Sequence, residues 1–283
     1  MVDKLCVLCT RIKNRVRELV LKEGHPEGGY QACLDLRYTK RKLPVRVYYN
    51  GRYNGINKAE VIGTAKLGLP RVLEVLAAIF PDLADVRIYR IDFAIDLLGI
   101  PVSFFLVNCH IARAQNFRFY RSRRALSLYL RSSSMRTLLI YDKGRLLKRK
   151  KDPMARILRR DDCLTRVEVQ LKGSVPFKQL KDIRRYREVD LLEDLRFFQR
   201  RLEPHKVTPI QLLAAAGLRW LVGTHGLQAV SKLFAPAEWA AIRKGYLEPM
   251  QTVEIPPLHE LMRKRMDDWF EGRIRFPRIK EGD

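Results

Sequence analysis

The chain has 283 residues, 47% hydrophobic and 30% charged, enough for a proper core in one large domain or two smaller ones. Lys and Arg number 55 against 31 Asp and Glu, a formal charge of +24. Such an excess repels itself unless a polyanion neutralises it, and nucleic acid is the usual polyanion, a membrane surface the weaker option. No stretch is long and apolar enough to span a bilayer, and the first twenty residues carry charges too often for a signal peptide, so an integral membrane or exported protein is not expected. The five cysteines are an odd number and scattered. Cys6 and Cys9 form a lone CxxC with no second pair at zinc spacing, so reduced thiols in a cytosol are the expectation.

In chain order, QACLDLRY (31–38) alternates as a strand, and PVRVYYNGRYNG (44–55) reads as a strand entering a turn at Asn50-Gly51. LPRVLEVLAAIFPDL has helical spacing and a stop at Pro81. DVRIYRIDFAIDLLGI (85–100) alternates over a long β-branched run and suggests a central strand. Residues 101–114 read as a helix opened by Pro101. FRFYRS, LSLYLRS and MRTLLIY (117–122, 126–132, 135–141) read as short strands with basic turns, 142–159 as a polar helix and CLTRVEVQLKG (163–173) as a strand. Beyond Pro176 the texture is helical: one long amphipathic helix over 177–202, further helices within 208–248, and a last one in PPLHELMRKRMDDWFEGRIRF. The expected fold is α+β: an antiparallel-sheet domain with flanking helices over 1–175, then a mostly helical region over 176–283 that binds DNA or a partner, or makes a dimer.

Three segments could carry chemistry. In R-I-D-F-A-I-D, Asp92, Ala94 and Asp96 share one face of a strand, and in T-R-V-E-V-Q, Arg166, Glu168 and Gln170 share another. Carboxylates inside a sheet are costly without a partner. Two readings stay open. If the strands are neighbours, Asp92, Asp96 and Glu168 converge as an oxygen cluster suited to Mg²⁺ or Mn²⁺. Alternatively they are charges of half-buried strands paired with Arg90 and Arg166. Tyr141 is the third feature. It closes an apolar run and precedes Lys143, Arg145, Lys148, Arg149, Lys150 and Lys151. It is either a packed aromatic or a nucleophile where a phosphate would be held; a neutral phenol, with an ordinary pKa of about 10, needs a cation to stabilise its anion. The five histidines stand apart, so a metal site would lean on carboxylates.

RIDFAID, LSLYLRSSSMRTLLIYDKG and TRVEVQLKG, in this order, resemble the motifs of the replication initiation factor family, the rolling-circle initiators of plasmids and filamentous phages with their related relaxases. The resemblance covers roughly residues 85–173. It implies that Tyr141 is the nicking nucleophile, that Lys143 supports it, and that Asp92, Asp96 and Glu168 bind or support Mg²⁺ or Mn²⁺. An acidic residue that often follows that lysine is replaced here by Leu146, Leu147 and Lys148. The resemblance further implies a DNA nicking–closing endonuclease in the cytoplasm of a bacterial host. Its partners would be single-stranded or hairpin origin DNA, a host helicase and polymerase, and a second copy in a homodimer. Arg118, Arg121, Arg123, Arg124, Arg131, Arg136, Arg145 and Lys148 would grip the DNA, and Phe117, Phe119, Tyr120 and Tyr129 would divide between base stacking and core. The alternative is a non-catalytic basic DNA-binding protein of a mobile element.

Overall fold

The computed structural model describes residues 2–38, 43–52, 54–102, 104–105, 109–111, 116–122, 125–131, 136–152, 155, 158, 163–173, 175–193, 195–197, 214, 217–218, 221, 225, 227–242 and 257–273. Its strands are β1 (Val2–Cys9), β2 (His25–Glu27), β3 (Tyr30–Tyr38), β4 (Leu43–Gly51), β5 (Asn57–Ile62), β6 (Arg87–Leu98), β7 (Cys109–Ile111), β8 (Asn116–Ser122), β9 (Ala125–Arg131), β10 (Arg136–Asp142), β11 (Leu164–Lys172) and β12 (Leu195–Phe197). Its helices are α1 (Asn14–Glu23), α2 (Gly68–Ile79), α3 (Lys143–Arg149), α4 (Leu227–Ser231), α5 (Pro236–Ile242) and α6 (Leu258–Phe270), with a 3₁₀ segment over Leu180–Glu188. The α+β class with antiparallel strands is as the sequence suggests.

The chain divides into two units, one of residues 1–95, 168–190 and 259–283, the other of 96–167 and 191–258. The division does not follow the expected boundary at 175. Strands β6 and β11 each run from one unit into the other, and α6, far along the chain, belongs with the first strands.

In the first unit the strand order is β2-β3-β4-β5-β1-β6-β11. The alternation of each strand sorts its residues onto two faces. Leu5, Val45, Val61, Ile91, Phe93 and Val169 are all buried on the apolar face. Leu5 lies opposite both Val61 and Ile91. The ring of Phe93 meets Tyr186 from the 3₁₀ segment at 5.4 Å. On the other face the same register lines up polar residues: Asp35 opposite Arg46, Arg46 opposite Glu60, Glu60 opposite Cys6, and Cys6 opposite Arg90. The charges there are paired, Arg46 with Asp35 at 2.6 Å and Glu60 with both Lys4 and Lys58 at 2.9 Å. The Lys58 ammonium also sits 3.8 Å from the centre of the Tyr48 ring. Cys6, Cys9 and Cys33 are buried free thiols, and burial pushes the Cys6 thiol up to about 12, so the CxxC holds reduced, apolar cysteines.

Helix α6 closes this unit. Trp269 is fully buried and its indole donates to the Thr64 carbonyl at 2.9 Å, while the Thr64 hydroxyl donates to the Val2 carbonyl at 2.7 Å. Arg187 of the 3₁₀ segment pairs with Asp267 at 2.9 Å and with Glu271.

The second unit holds β8, β9 and β10 as an antiparallel ladder, with β10 beside β11, and a separate β7–β12 pair. Among the described residues, no helix of either unit is long and apolar enough to cross a membrane.

Several expectations are corrected. The helix expected over 177–202 is a 3₁₀ segment that stops at Val189, where the backbone turns extended, followed by strand β12. The segment is tied by Arg187 to Asp267 of α6 and by Arg184 to Glu271 just after it. Of the helix expected over 101–114, residues 102, 104 and 105 are helical, 109–111 instead form strand β7, held by β12 through Leu195 opposite Ile111, and the remainder after Pro101 lies outside the described residues. The turn expected at Asn50-Gly51 falls later: Gly51 still pairs with Tyr30, and Gly55, at φ +63, donates back to the Gly51 carbonyl. The polar helix after Tyr141 is shorter than expected, ending at Arg149. Of the helices expected within 208–248, α4 and α5 are seen, and most of the rest lies outside the described residues.

Truncating Trp269 removes a fully buried ring and the hydrogen bond to Thr64, so Trp269→Ala should cost about 3–5 kcal/mol of unfolding free energy. Trp269→Phe, which keeps most of the packing, should cost less. Urea denaturation of both variants reads this, and equal midpoints for Trp269→Ala and wild type would refute the role given to α6.

Candidate active site

Strands β6 and β11 are antiparallel in one register. The Gly173 amide donates to the Tyr89 carbonyl and the Gly99 amide to the Cys163 carbonyl, both at 2.8 Å. This register sets Asp96 against Arg166 and Glu168 against Ala94. The two strands the sequence singled out are therefore neighbours.

In the first unit, Asp92 is 2% exposed, and Arg90, two residues back on the same face, grips it with two bonds, Nε to Oδ1 at 2.8 Å and Nη2 to Oδ2 at 2.7 Å. Glu168 is also buried and accepts from Gln170 Nε2 at 2.7 Å. Burial pushes the Asp92 carboxyl up to about 6. The Arg90 guanidinium pulls it down, the Glu168 charge pushes it further up, and burial wins. In the second unit, Arg166 is 4% exposed and grips Asp96 in the same way, Nε to Oδ1 at 2.5 Å and Nη2 to Oδ2 at 2.7 Å.

These contacts test the expected metal cluster. A hard cation needs several carboxylate oxygens turned toward one point. Asp92 and Asp96 each turn both oxygens to a guanidinium, and Glu168 turns one to an amide. Among the described residues, no three Asp, Glu, His or Cys side chains group as metal ligands. The carboxylates in this arrangement do not fit a three-carboxylate centre for Mg²⁺ or Mn²⁺. Of the histidines, His259 faces Asp190 at 2.8 Å.

Tyr141 lies on β10 in the second unit. Along that strand Leu138 and Ile140 are buried, whereas Leu139 and Tyr141 are half-exposed. Asp142 then ends the strand. Its backbone is still extended, and its carboxylate accepts from the Arg145 amide at 2.9 Å, capping α3. Gly144, in the first turn of α3, is buried. A Cβ there would lie 3.4 Å from Leu158 and Leu164, so the first turn of α3 packs against these two side chains. Tyr141 is thus held at a strand end, its face half-open, with half-buried Lys143 two residues on and exposed Lys148 and Arg149 beyond. Asp142 was missed in the sequence, although an Asp before a helical run is an N-cap signal.

The register of β8, β9 and β10 sorts the basic and aromatic residues expected to bind DNA. Tyr141 lies opposite Ser127, and Ser127 opposite Tyr120; Leu139 lies opposite Tyr129, and Tyr129 opposite Arg118; Arg131 lies opposite Asn116 and Thr137. Residues opposite one another share a face, so Arg118, Tyr120, Tyr129 and Arg131 are placed on the Tyr141 face. Phe117, Phe119 and Arg121 are placed on the face of buried Leu128 and Ile140. Arg136 has the parity of buried Leu138 and Ile140. It pairs with Glu193 at 2.6 Å and donates to the Leu191 carbonyl, so it braces the second unit. Arg145 pairs with Asp142 at 3.3 Å beside the cap, and its guanidinium is half-exposed. Arg123 and Arg124 lie outside the described residues.

No protein-family model matches the chain, and no curated protein matches it.

The Asp92 proton gives a test of this geometry. A folded-state value above the ordinary 3.8 means that the folded protein binds the proton more tightly than the unfolded chain. The contribution of this group to stability is greatest below 3.8, falls as pH rises, and is gone above about 6. Wild type should therefore lose on the order of 3 kcal/mol relative to Asp92→Asn between those limits. Urea midpoints of both proteins at several pH values measure the difference, and a difference that stays constant with pH would contradict the buried carboxyl.

Proposed function

We propose that the protein is a DNA nicking–closing enzyme of the rolling-circle initiator kind, with Tyr141 as nucleophile. The observation that carries this reading is the placement of Tyr141: half-exposed near the end of β10, just before the Asp142 cap of α3, with Lys143 two residues on in a strongly basic chain. The substrate is single-stranded or hairpin DNA. Tyr141 Oη attacks a phosphodiester in line. The Oη–P bond forms as the bond to the 3′ oxygen breaks, the phenol proton passes to solvent, and the departing oxygen takes up a proton to become a 3′-hydroxyl. The 5′ end stays on the protein as a phosphotyrosine. Lys143 and the basic side chains of α3 stabilise the charge that develops on the phosphate. Exchange of one phosphoester for another keeps the link reactive, so a 3′-hydroxyl can later attack it and rejoin the strand.

The Mg²⁺ or Mn²⁺ requirement that the resemblance implies belongs to this proposal as something to be measured. Because the carboxylates are committed to Arg90, Arg166 and Gln170, no step is assigned to a cation.

A second reading rests on the same ion pairs. If Arg90 and Arg166 serve only to neutralise Asp92 and Asp96, the chain is a basic DNA-binding protein without catalysis, and its carboxylates are structural. The two readings separate in one experiment. End-labelled single strands from the element's own origin are incubated with protein, with Mn²⁺ or with EDTA, and run on a denaturing gel. Wild type should give a protease-sensitive adduct that Tyr141→Phe does not, while both bind the strand with the same affinity. Binding by both proteins with no adduct from either, on any strand, would leave the second reading.

A further inference from the structure

The turn that joins α4 to α5 turns large apolar side chains toward water. Among the described residues, Leu233 is the most exposed large apolar side chain, at 68%. Phe234 and Trp239 beside it are half-exposed, and their rings stack at 5.9 Å and 16°. Val230 anchors α4 by its burial, whereas α5 buries none of its residues. The exposure is built into the backbone. The Leu233 amide donates to the Val230 carbonyl at 3.0 Å and the Trp239 amide to the Ala235 carbonyl at 2.8 Å. The Glu238 carboxylate accepts from the Ala235 amide at 3.0 Å. The turn is therefore fixed by its own hydrogen bonds, with its leucine and two rings held outward.

We propose that this tip docks the protein on an anionic lipid surface, with Leu233, Phe234 and Trp239 entering the boundary between headgroups and acyl chains. An exposed apolar cluster marks either a protein interface or a membrane contact. A protein interface needs a groove or a face of matching shape. Here the apolar groups sit on a turn, and Lys232, Ala235 and Pro236 around them are exposed, so the shape is a convex tip. A fluid lipid interface accepts such a tip without a matching pocket. Tryptophan favours that depth, because its ring is apolar and its N–H is polar. Charge points the same way. Lys232 is exposed in the same turn, and the formal charge of +24 draws the chain to anionic headgroups. Glu238, the one acid in 227–242, has its carboxylate on the Ala235 amide. The attachment is peripheral and makes no use of Tyr141.

The test sediments the full-length protein with vesicles of phosphatidylglycerol and phosphatidylcholine in equal parts, or of phosphatidylcholine alone. Wild type should bind the anionic vesicles and prefer them to the neutral ones. Leu233→Ser should bind them about 10-fold more weakly. Its urea midpoint should match wild type, because the side chain it removes is exposed. Depth is read separately, with vesicles whose acyl chains carry bromine. These should quench the tryptophan emission of wild type, and Trp239→Phe should lose most of that quenching, since Trp269 is fully buried. Equal affinity of wild type and Leu233→Ser, with no quenching, would mean adsorption by charge alone and overturn the proposal. So would the absence of binding to anionic vesicles. Self-association that Leu233→Ser abolishes, with vesicle binding unchanged, would assign the tip to a second copy of the chain and overturn it too.

Discussion

A charged side chain can sit within the sheet only if something on the same face neutralises it, and β6 and β11 meet this requirement with arginine. Arg90 takes Asp92 and Arg166 takes Asp96, each with two parallel bonds. Breaking such a pair by removing one partner leaves a buried charge behind, which is why both members are fixed once either is present. Asp92 and Asp96 each give both oxygens to a guanidinium, and Tyr141 lies half-exposed near the end of β10 with Lys143 two residues on.

The sheet face in the first unit shows the same principle on a larger scale. Asp35, Arg46, Glu60, Lys4 and Lys58 form a paired row: Asp35 and Glu60 lie opposite Arg46, Lys4 is diagonal to Glu60, and Lys58 is two residues from Glu60 on the same strand. Asp92 is the member of this face most deprived of water, and its raised titration follows from that burial more than from any neighbour. A strongly basic chain thus uses some of its arginines as internal counter-ions.

Local sequence was a good guide where one period ruled a segment. The β6 and β11 strands, the three short strands before Tyr141, α2 and α6 were all legible, because apolar residues recur at 2.0 or 3.6 and little competes. The pairing of Asp92 with Arg90 was legible too, as one of two readings, from their shared face; choosing between it and a cation needed the side-chain geometry. What failed was long-range. Nothing within VDKLCVLC says that it lies between β5 and β6, and nothing within FKQLKDIRRYREVDLLEDLRFF says that its arginines will be claimed by Asp267 and Glu271. The ion pair of Arg136 was hidden for the same reason. Nothing in the local sequence of Arg136 announces Glu193, 57 residues on, as its partner.

The bond from Trp269 to Thr64 joins residues 205 apart in the chain. During synthesis, β1 to β6 therefore emerge long before the helix that completes their core, and so does β11. The nascent first unit must wait with its apolar face incompletely covered while the whole second unit is made. Contacts of such sequence separation form late and slowly. The polar row on the opposite face is closed by pairs that all lie within β1 to β5, so it can form before the second unit is made. It gives the waiting sheet a soluble side, and makes the ribosome-bound intermediate, more than the finished protein, the stage at which this chain is vulnerable to aggregation.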